Sequence, residues 1–168
     1  MPPEDLPPGE YSAALMAPFA HVNPDGSRFG DGTYGVFYAG RTIETAVAET
    51  RYHSEKFMRA THEEPCDLDR RVYVIDLDGD LHDIRGMRAL LPNVYSTDDY
   101  SESRKFGRTL REQGSPGICY DSLRHHGGEC VGAFRPRVLS NCRQAQHLCY
   151  VWNGEAISLV YEKKSWEG

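Results

Sequence analysis

Residues 42–60 read T-I-E-T-A-V-A-E-T-R-Y-H-S-E-K-F-M-R-A. Thr42 is a residue type that often caps a helix N-terminus, and Glu44 would lie in the first turn, near the positive end of the helix dipole. Apolar and small side chains recur at helical spacing along the stretch. The pattern predicts a helix from about Ile43 to Ala60. The sequence on either side is interpreted relative to this helix.

The flanking sequence predicts strands before and after this helix. Four short runs are rich in β-branched and aromatic residues: Tyr34–Ala39, Arg71–Asp78, Gly117–Tyr120 and Cys130–Phe134. Near the end of the chain, Asn153-Gly154 separates two further β-rich runs, which is a strong hairpin signal. These runs predict a sheet that is antiparallel or mixed.

A second helix and the chain length complete the predicted organisation. The polar stretch Ser101–Gln113 predicts a second helix, and it is followed by Gly114, a residue type that often ends a helix. A chain of 168 residues with 39% hydrophobic residues is long enough for one sizeable core. We therefore expect one α+β domain over residues 1–168, with helices flanking the sheet and a flexible proline-rich start at residues 1–8.

Composition excludes several classes of function. The net charge of −6 argues against non-specific binding to a nucleic-acid backbone. The sequence has no run of eighteen apolar residues and no secretory signal, so we expect a cytoplasmic protein without a membrane partner. The sequence leaves open whether the chain forms a homodimer.

The five cysteines do not predict a metal site or a disulfide framework. Their number is odd, and thiols usually stay reduced in the cytoplasm. A zinc site could be drawn from Cys130, Cys142, His147 and Cys149, but no C-x-x-C pair supports it. We therefore expect no metal and interpret these thiols mainly as small hydrophobic groups.

Three polar residues stand where a ligand could reach them. Arg28 lies in a glycine-rich loop over 22–35, whose backbone could approach a ligand closely. Glu49 falls at the flank of the predicted helix's apolar stripe, where it could face a cleft, and Ser122 follows a predicted strand. Each also has an ordinary alternative: a solvated arginine, a helix-forming glutamate and a turn serine.

The contexts of these residues carry a family resemblance. Residues 27–50 read S-R-F-G-D-G-T-Y-G-V-F-Y-A-G-R-T-I-E-T-A-V-A-E-T, and residues 117–136 read G-I-C-Y-D-S-L-R-H-H-G-G-E-C-V-G-A-F-R-P. Together with Y-V-W-N-G at 150–154, they resemble the RES domain, named for its arginine, glutamate and serine. The resemblance runs from about Asn23 to the C-terminus.

The resemblance implies a fold similar to that of ADP-ribosyltransferase toxins and an attack on NAD⁺ as substrate. It also implies a toxin whose partner is an Xre-like helix-turn-helix antitoxin. Carried over by motif, the catalytic set is Arg28, Tyr38, Glu49 and Ser122. Arg28, Tyr38 and Ser122 would also bind NAD⁺, together with Arg124.

These residue types suit that chemistry. Cleavage of the nicotinamide–ribosyl bond passes through an oxocarbenium-like state, which a carboxylate such as Glu49 stabilises. Arg28 could bind the pyrophosphate, and the ring of Tyr38 could stack on nicotinamide or adenine. Ser122 has no His-Asp relay at a recognised spacing, so we interpret it as a ligand for ribose or amide and reject a nucleophile role.

Two departures from the family pattern concern substrate contacts. Many RES domains have another arginine upstream of the glycine-rich turn, whereas no Arg or Lys precedes Ser27 here; His21 is one candidate to replace it. The family often has asparagine where this chain has Cys130. A hydrogen bond from that position is therefore in question.

Several functions remain open from the sequence. NAD⁺ could be cleaved by hydrolysis or phosphorolysis, or its ADP-ribose could be transferred to a protein or another acceptor. A non-catalytic binding module is the alternative from another class, and the retained Arg28, Glu49 and Ser122 argue against it.

Overall fold

The computed structural model describes residues 12–166, so the predicted flexible segment 1–8 lies outside the described residues. Its helices are α1 (Ser12–Ala20), α2 (Ile43–Ala60) and α3 (Ser101–Glu112). Its strands are β1 (Phe37–Gly40), β2 (Cys66–Leu77), β3 (His82–Asp83), β4 (Gly117–Asp121), β5 (Glu129–Ala133), β6 (Leu139–Trp152) and β7 (Ile157–Lys163). The α+β class predicted from the sequence is confirmed.

The strands form two separate sheets. The first sheet has the order β1-β5-β4-β3, in which β4 pairs parallel with the short β3 and the other pairs are antiparallel. The second sheet has the order β2-β6-β7 and is antiparallel throughout. The prediction of a mixed or antiparallel sheet therefore holds, although it did not separate the strands into two sheets.

Helix α2 begins and ends where the sequence predicts. The Thr42 side chain accepts a hydrogen bond from the Thr45 amide at 3.2 Å, which caps the first turn. Towards the end of the helix, Met58 packs against the second sheet with Tyr150 and Trp152. Burial of such large side chains stabilises the packing of α2 on this sheet by roughly 2 kcal/mol each.

The start of α2 lies against the first sheet. A Cβ on Gly40, the last residue of β1, would lie only 2.7 Å from the Ala46 amide nitrogen, so strand and helix approach more closely than any other residue type allows. Helix α2 thus contacts the second sheet along one face and the end of β1 near its start. A cleft opens beside this junction.

Other element boundaries differ from the prediction. Helix α1 was not predicted, because Pro18 lies inside it and prolines crowd the preceding sequence. Strand β2 begins at Cys66, five residues before the predicted Arg71, in a charged stretch that is typical of an exposed surface. The predicted hairpin exists, but four residues from Asn153 to Ala156 connect β6 to β7.

The length and hydropathy of the helices can be compared with what a membrane span requires. None of the helices within residues 12–166 combines the length and the apolar character needed to cross a bilayer.

Candidate functional site

A cleft of about 950 Å³ lies beside the start of α2. The glycine-rich loop, the end of β1, one face of α2 and the start of α3 line it. Three predicted site residues, Arg28, Tyr38 and Glu49, are among the lining residues. Ser122 and Arg124 are not; both follow β4, and Ser122 contacts the lining residue Glu49.

The carboxylate of Glu49 lies at the base of the cleft. Its Oε1 accepts a hydrogen bond from Ser122 Oγ at 2.6 Å, and Cys130 Sγ lies 3.8 Å from the same oxygen. Its Oε2 lies 3.9 Å from His53 Nε2. The Glu49 side chain is 22% exposed, so it is sheltered yet open to a ligand in the cleft.

The Ser122 hydroxyl holds this carboxylate in place. Ser122 is buried, and its single proton is donated to Glu49. Its oxygen accepts hydrogen bonds from the amides of Arg124 at 3.1 Å and His125 at 3.0 Å. Because all of these interactions are made within the protein, the geometry supports a positioning role for Ser122. Its predicted contact with ribose or amide stays a prediction.

Cys130 stands beside Glu49, at the position where the resemblance described above often has asparagine. Burial and the neighbouring Glu49 carboxylate raise the pKa of its thiol to about 12. Cys130 therefore stays a neutral thiol, which is a weak hydrogen-bond donor. At 3.8 Å from Glu49 Oε1, the Cys130 thiol can donate a weak hydrogen bond to the carboxylate.

Arg28 is almost buried in the cleft wall. Its Nη1 donates to the carbonyl of Ser96 at 2.7 Å, and its guanidinium lies over the ring of Tyr100 at 4.5 Å. Within residues 12–166 it forms no ion pair with a carboxylate. A buried guanidinium held only by carbonyls and a ring retains its positive charge for an anionic ligand.

Tyr38 connects the glycine-rich loop to β1. Its hydroxyl accepts a hydrogen bond from the Phe29 amide at 2.9 Å and shares another with Ser27 Oγ at 2.6 Å. Burial raises the pKa of Tyr38 to about 12, so the phenol stays neutral at physiological pH. The ring lines the cleft while the hydroxyl fixes the loop that carries Arg28.

Helix α3 holds the same loop from the other side. Arg104 donates to the carbonyls of Ser27 at 3.0 Å and Asp25 at 2.9 Å. Ser103 Oγ donates to the carbonyl of Arg28 itself. The backbone around Arg28 is therefore fixed by side chains from a distant part of the sequence.

Arg124 is not among the lining residues, but its Nη2 lies 3.4 Å from the hydroxyl of Tyr100, which is. Its guanidinium lies 3.4 Å from the ring centre of Tyr52, and its Nη2 donates to the Thr97 carbonyl at 2.8 Å. The structure thus places Arg124 where it ties the turn after β4 to α2 and to the segment before α3. Its predicted contact with NAD⁺ stays a prediction.

Several residues of this site were not predicted from the sequence. Tyr100 covers Arg28, and the pair Thr45 and His125 links α2 to the Ser122 turn at 2.8 Å. His53 was not predicted as a site residue. Its spacing of one helical turn from Glu49 was the available signal, because residues i and i+4 share a helix face.

The cysteine and histidine residues considered for zinc lie apart. Cys130 is on β5 in the first sheet, whereas Cys142, His147 and Cys149 are on β6 in the second sheet. In the part of the chain that the structure describes, no three His, Cys, Asp or Glu side chains are grouped to hold a metal ion.

A mostly preformed cleft that holds a few fixed polar groups is typical of small-molecule-binding proteins. Comparison with known families then assigns the chain: residues 3–153 match the family model of the RES domain, so the chain belongs to the RES-domain family. RES-domain proteins are known as toxins of toxin–antitoxin systems.

A curated relative is the uncharacterized protein y4oC of Sinorhizobium fredii. It is 32% identical over 147 residues, which cover 87% of this chain. The match covers 60% of the relative's own length. The name of the relative states no activity, and the family assignment rests on the family model alone.

Proposed function

We propose that this protein is a toxin that cleaves the nicotinamide–ribosyl bond of NAD⁺ in the cytoplasm. An Xre-like helix-turn-helix antitoxin would neutralise it. The observation that carries the proposal is the Glu49 carboxylate, held by Ser122 at 2.6 Å in the same cleft as Arg28 and Tyr38. Family membership supports the toxin role.

Glu49 supplies the charge that the bond cleavage requires. As the C1′–nitrogen bond of NAD⁺ breaks, positive charge develops on the ribose, and a fixed carboxylate nearby stabilises it. Because Ser122 orients the carboxylate before the substrate arrives, little reorganisation is needed during the reaction. Removal of this charge should cost on the order of 3 kcal/mol, roughly a hundredfold in rate.

The remaining groups match the other parts of NAD⁺. The guanidinium of Arg28 would bind the pyrophosphate, because it is fixed, buried and, among the residues that the structure describes, without a carboxylate partner. The ring of Tyr38 would stack on nicotinamide or adenine. The cleft volume of about 950 Å³ is within the range of small-molecule and cofactor sites.

The same bond cleavage allows different acceptors. Water would give ADP-ribose, phosphate would give ADP-ribose-1″-phosphate, and a protein side chain would give an ADP-ribosylated protein. The product therefore distinguishes hydrolase, phosphorylase and transferase.

The direct test is incubation of purified protein with NAD⁺, with and without phosphate, and identification of the products by mass spectrometry. We expect free nicotinamide from the wild type and roughly a hundredfold slower release from Glu49→Gln. Glu44→Gln, an exposed glutamate on the same helix, is the matched control and should keep wild-type turnover. Absence of nicotinamide release from the wild type would refute the proposed reaction.

Expression in cells tests the toxin role. Without an antitoxin, the wild type should arrest growth and lower cellular NAD⁺, whereas Glu49→Gln should be tolerated. Unchanged growth and NAD⁺ on wild-type expression would contradict the toxin role.

A further inference from the structure

The two oxygens of the Glu49 carboxylate have different surroundings. Oε1 is occupied by the Ser122 hydroxyl at 2.6 Å and faces the Cys130 thiol. Among residues 12–166, Oε2 has no such partner, and it is directed towards His53 Nε2, 3.9 Å away. One oxygen therefore holds the carboxylate in position, and the other remains available to a reactant.

The separation between Oε2 and Nε2 suits a shared small group. A distance of 3.9 Å is too long for a direct hydrogen bond. A water or hydroxyl oxygen placed beside both atoms could hydrogen-bond to each of them. Both side chains line the cleft from adjacent turns of α2, so such an oxygen would lie inside the substrate site.

The ring of His53 is suited to accept a proton. The His53 side chain is 55% exposed, and its partial burial lowers its pKa below the ordinary value. Nearby cations from three segments lower it further: Arg124 after β4, Lys56 on α2 and Arg28 in the glycine-rich loop. Glu49 acts in the opposite direction. The edge of the ring contacts Tyr52, with ring centres 5.2 Å apart, which leaves Nε2 facing Glu49.

We propose that Glu49 Oε2 and His53 Nε2 form the acceptor site of the reaction. The acceptor is water, and His53 is the general base that deprotonates it. This inference rests on the proposed cleavage of NAD⁺.

The step balances as a hydrolysis. The C1′–nitrogen bond breaks and its electron pair leaves with nicotinamide, which becomes neutral. The water oxygen forms the new bond to C1′, and its proton moves to His53 Nε2. The products are nicotinamide and ADP-ribose, and the proton then passes from the imidazolium to solvent.

The carboxylate at this site selects against an anionic acceptor. A phosphate ion placed against Oε2 would bring two negative charges together in a sheltered cleft, where like charges repel strongly. A water molecule meets no such repulsion and can donate one hydrogen to each of Oε2 and Nε2. The structure therefore favours hydrolysis over phosphorolysis.

The test compares two histidine variants of the full chain, His53→Gln and His126→Gln. His126 is exposed and does not line the cleft, so it is the matched control. With NAD⁺ in phosphate-free buffer, we expect His53→Gln to release nicotinamide about a hundredfold more slowly than wild type, and His126→Gln to match wild type. Circular dichroism checks that both variants fold.

Hydroxylamine then separates a general base from a structural role. This neutral amine is a strong nucleophile that needs no base before it attacks C1′, so it should restore nicotinamide release by His53→Gln and give an ADP-ribosyl hydroxylamine adduct. A His53→Gln variant with wild-type hydrolysis, or one that hydroxylamine does not rescue, would overturn the role of His53. ADP-ribose-1″-phosphate as the main wild-type product in phosphate buffer would overturn the choice of water.

These outcomes are distinct from failure of the proposed function. If the wild-type protein releases no nicotinamide, both the proposed reaction and this acceptor site are refuted. If the wild type and His53→Gln release nicotinamide equally well, only the proposed acceptor site is refuted.

Discussion

Thr45 Oγ1 lies 2.8 Å from His125 Nδ1 and joins the first turn of α2 to the turn that begins at Ser122. Thr45 is fully buried, and His125 is partly exposed, so the bond is part-buried. Glu49 follows Thr45 by one helical turn, and His125 donates its amide to Ser122 Oγ. The Thr45–His125 bond therefore fixes the distance between Glu49 and Ser122 without touching either side chain.

Removal of this bond should lower both stability and activity. We expect Thr45→Val, which keeps the shape, and His125→Gln each to lower the free energy of unfolding by about 1 kcal/mol. In a double-mutant cycle by urea denaturation, the pair should show a coupling energy of at least about 0.5 kcal/mol. Strictly additive effects would show that the two side chains do not interact in solution.

Ser122→Ala should act on catalysis through Glu49. The variant loses the donor to Oε1 and the acceptor for two backbone amides, so kcat should fall at least about tenfold while KM changes little. Because the serine acts only through the carboxylate, Ser122→Ala should have little further effect on the rate in a Glu49→Gln background. Equal losses in both backgrounds would point to an independent contact with the substrate.

Arg28→Lys should be severely impaired although it keeps the charge. A lysine cannot reproduce the planar guanidinium that covers Tyr100 while bonding to the Ser96 carbonyl. Loss of one charge-assisted contact corresponds to about tenfold or more in kcat/KM. Arg41→Lys, an exposed arginine paired with Glu129, is the control and should leave kcat/KM unchanged.

Gly107→Ala should destabilise the protein even though alanine is the better helix former. A Cβ at Gly107 would lie 2.2 Å from the Phe29 carbonyl oxygen, so α3 and the glycine-rich loop would have to separate. Such overpacking costs about 1–3 kcal/mol, which exceeds the gain of about 1 kcal/mol in helix propensity. Thermal denaturation measures the change, with Thr109→Ala on the exposed face as a near-neutral comparison.

Asp83 should contribute to acid sensitivity. Arg85 binds its carboxylate through Nε at 2.9 Å and Nη2 at 2.8 Å and lowers the pKa of Asp83 to about 2. A depressed carboxylate pKa stabilises the folded state above the ordinary value near 3.9, and this stabilisation is lost as the pH falls towards about 2. Asp83→Asn should therefore lose less stability than wild type between about pH 4 and about pH 2, as followed by urea denaturation.

The comparison for this experiment is Asp80→Asn, which removes one negative charge from an exposed position nearby. If the two variants show the same pH dependence, the effect belongs to overall charge and the Arg85 contact contributes nothing of its own.

The local elements of the fold could be predicted where short-range signals agree. Helix α2 matches its predicted limits because its cap, first-turn charge and apolar spacing all lie within residues 42–60. Helix α1 and the first half of β2 were missed because a proline and exposed charges dominate their composition. Their structure depends on tertiary packing, such as that of Leu15 against Val138 and Leu139.

In the candidate site, too, some features could be predicted from the sequence and others could not. The residue types of Arg28, Tyr38 and Glu49 and their place in motifs were accessible from sequence. The hydrogen bond between Glu49 and Ser122 spans 73 positions, and no local pattern reports a contact of that range. The same holds for Tyr100, whose position over Arg28 follows from the path of the chain between β3 and α3.

The anchors of the Arg28 guanidinium have a consequence for how this family can diverge. Its Nη1 bonds to carbonyl oxygens of Ser96 and Val94, which every amino acid possesses. Side chains in that segment are therefore free to change over evolution as far as this anchor is concerned, whereas an inserted or deleted residue would move both oxygens at once. The position of Arg28 therefore depends more on the length of the segment that contains Val94 and Ser96 than on the identity of its side chains.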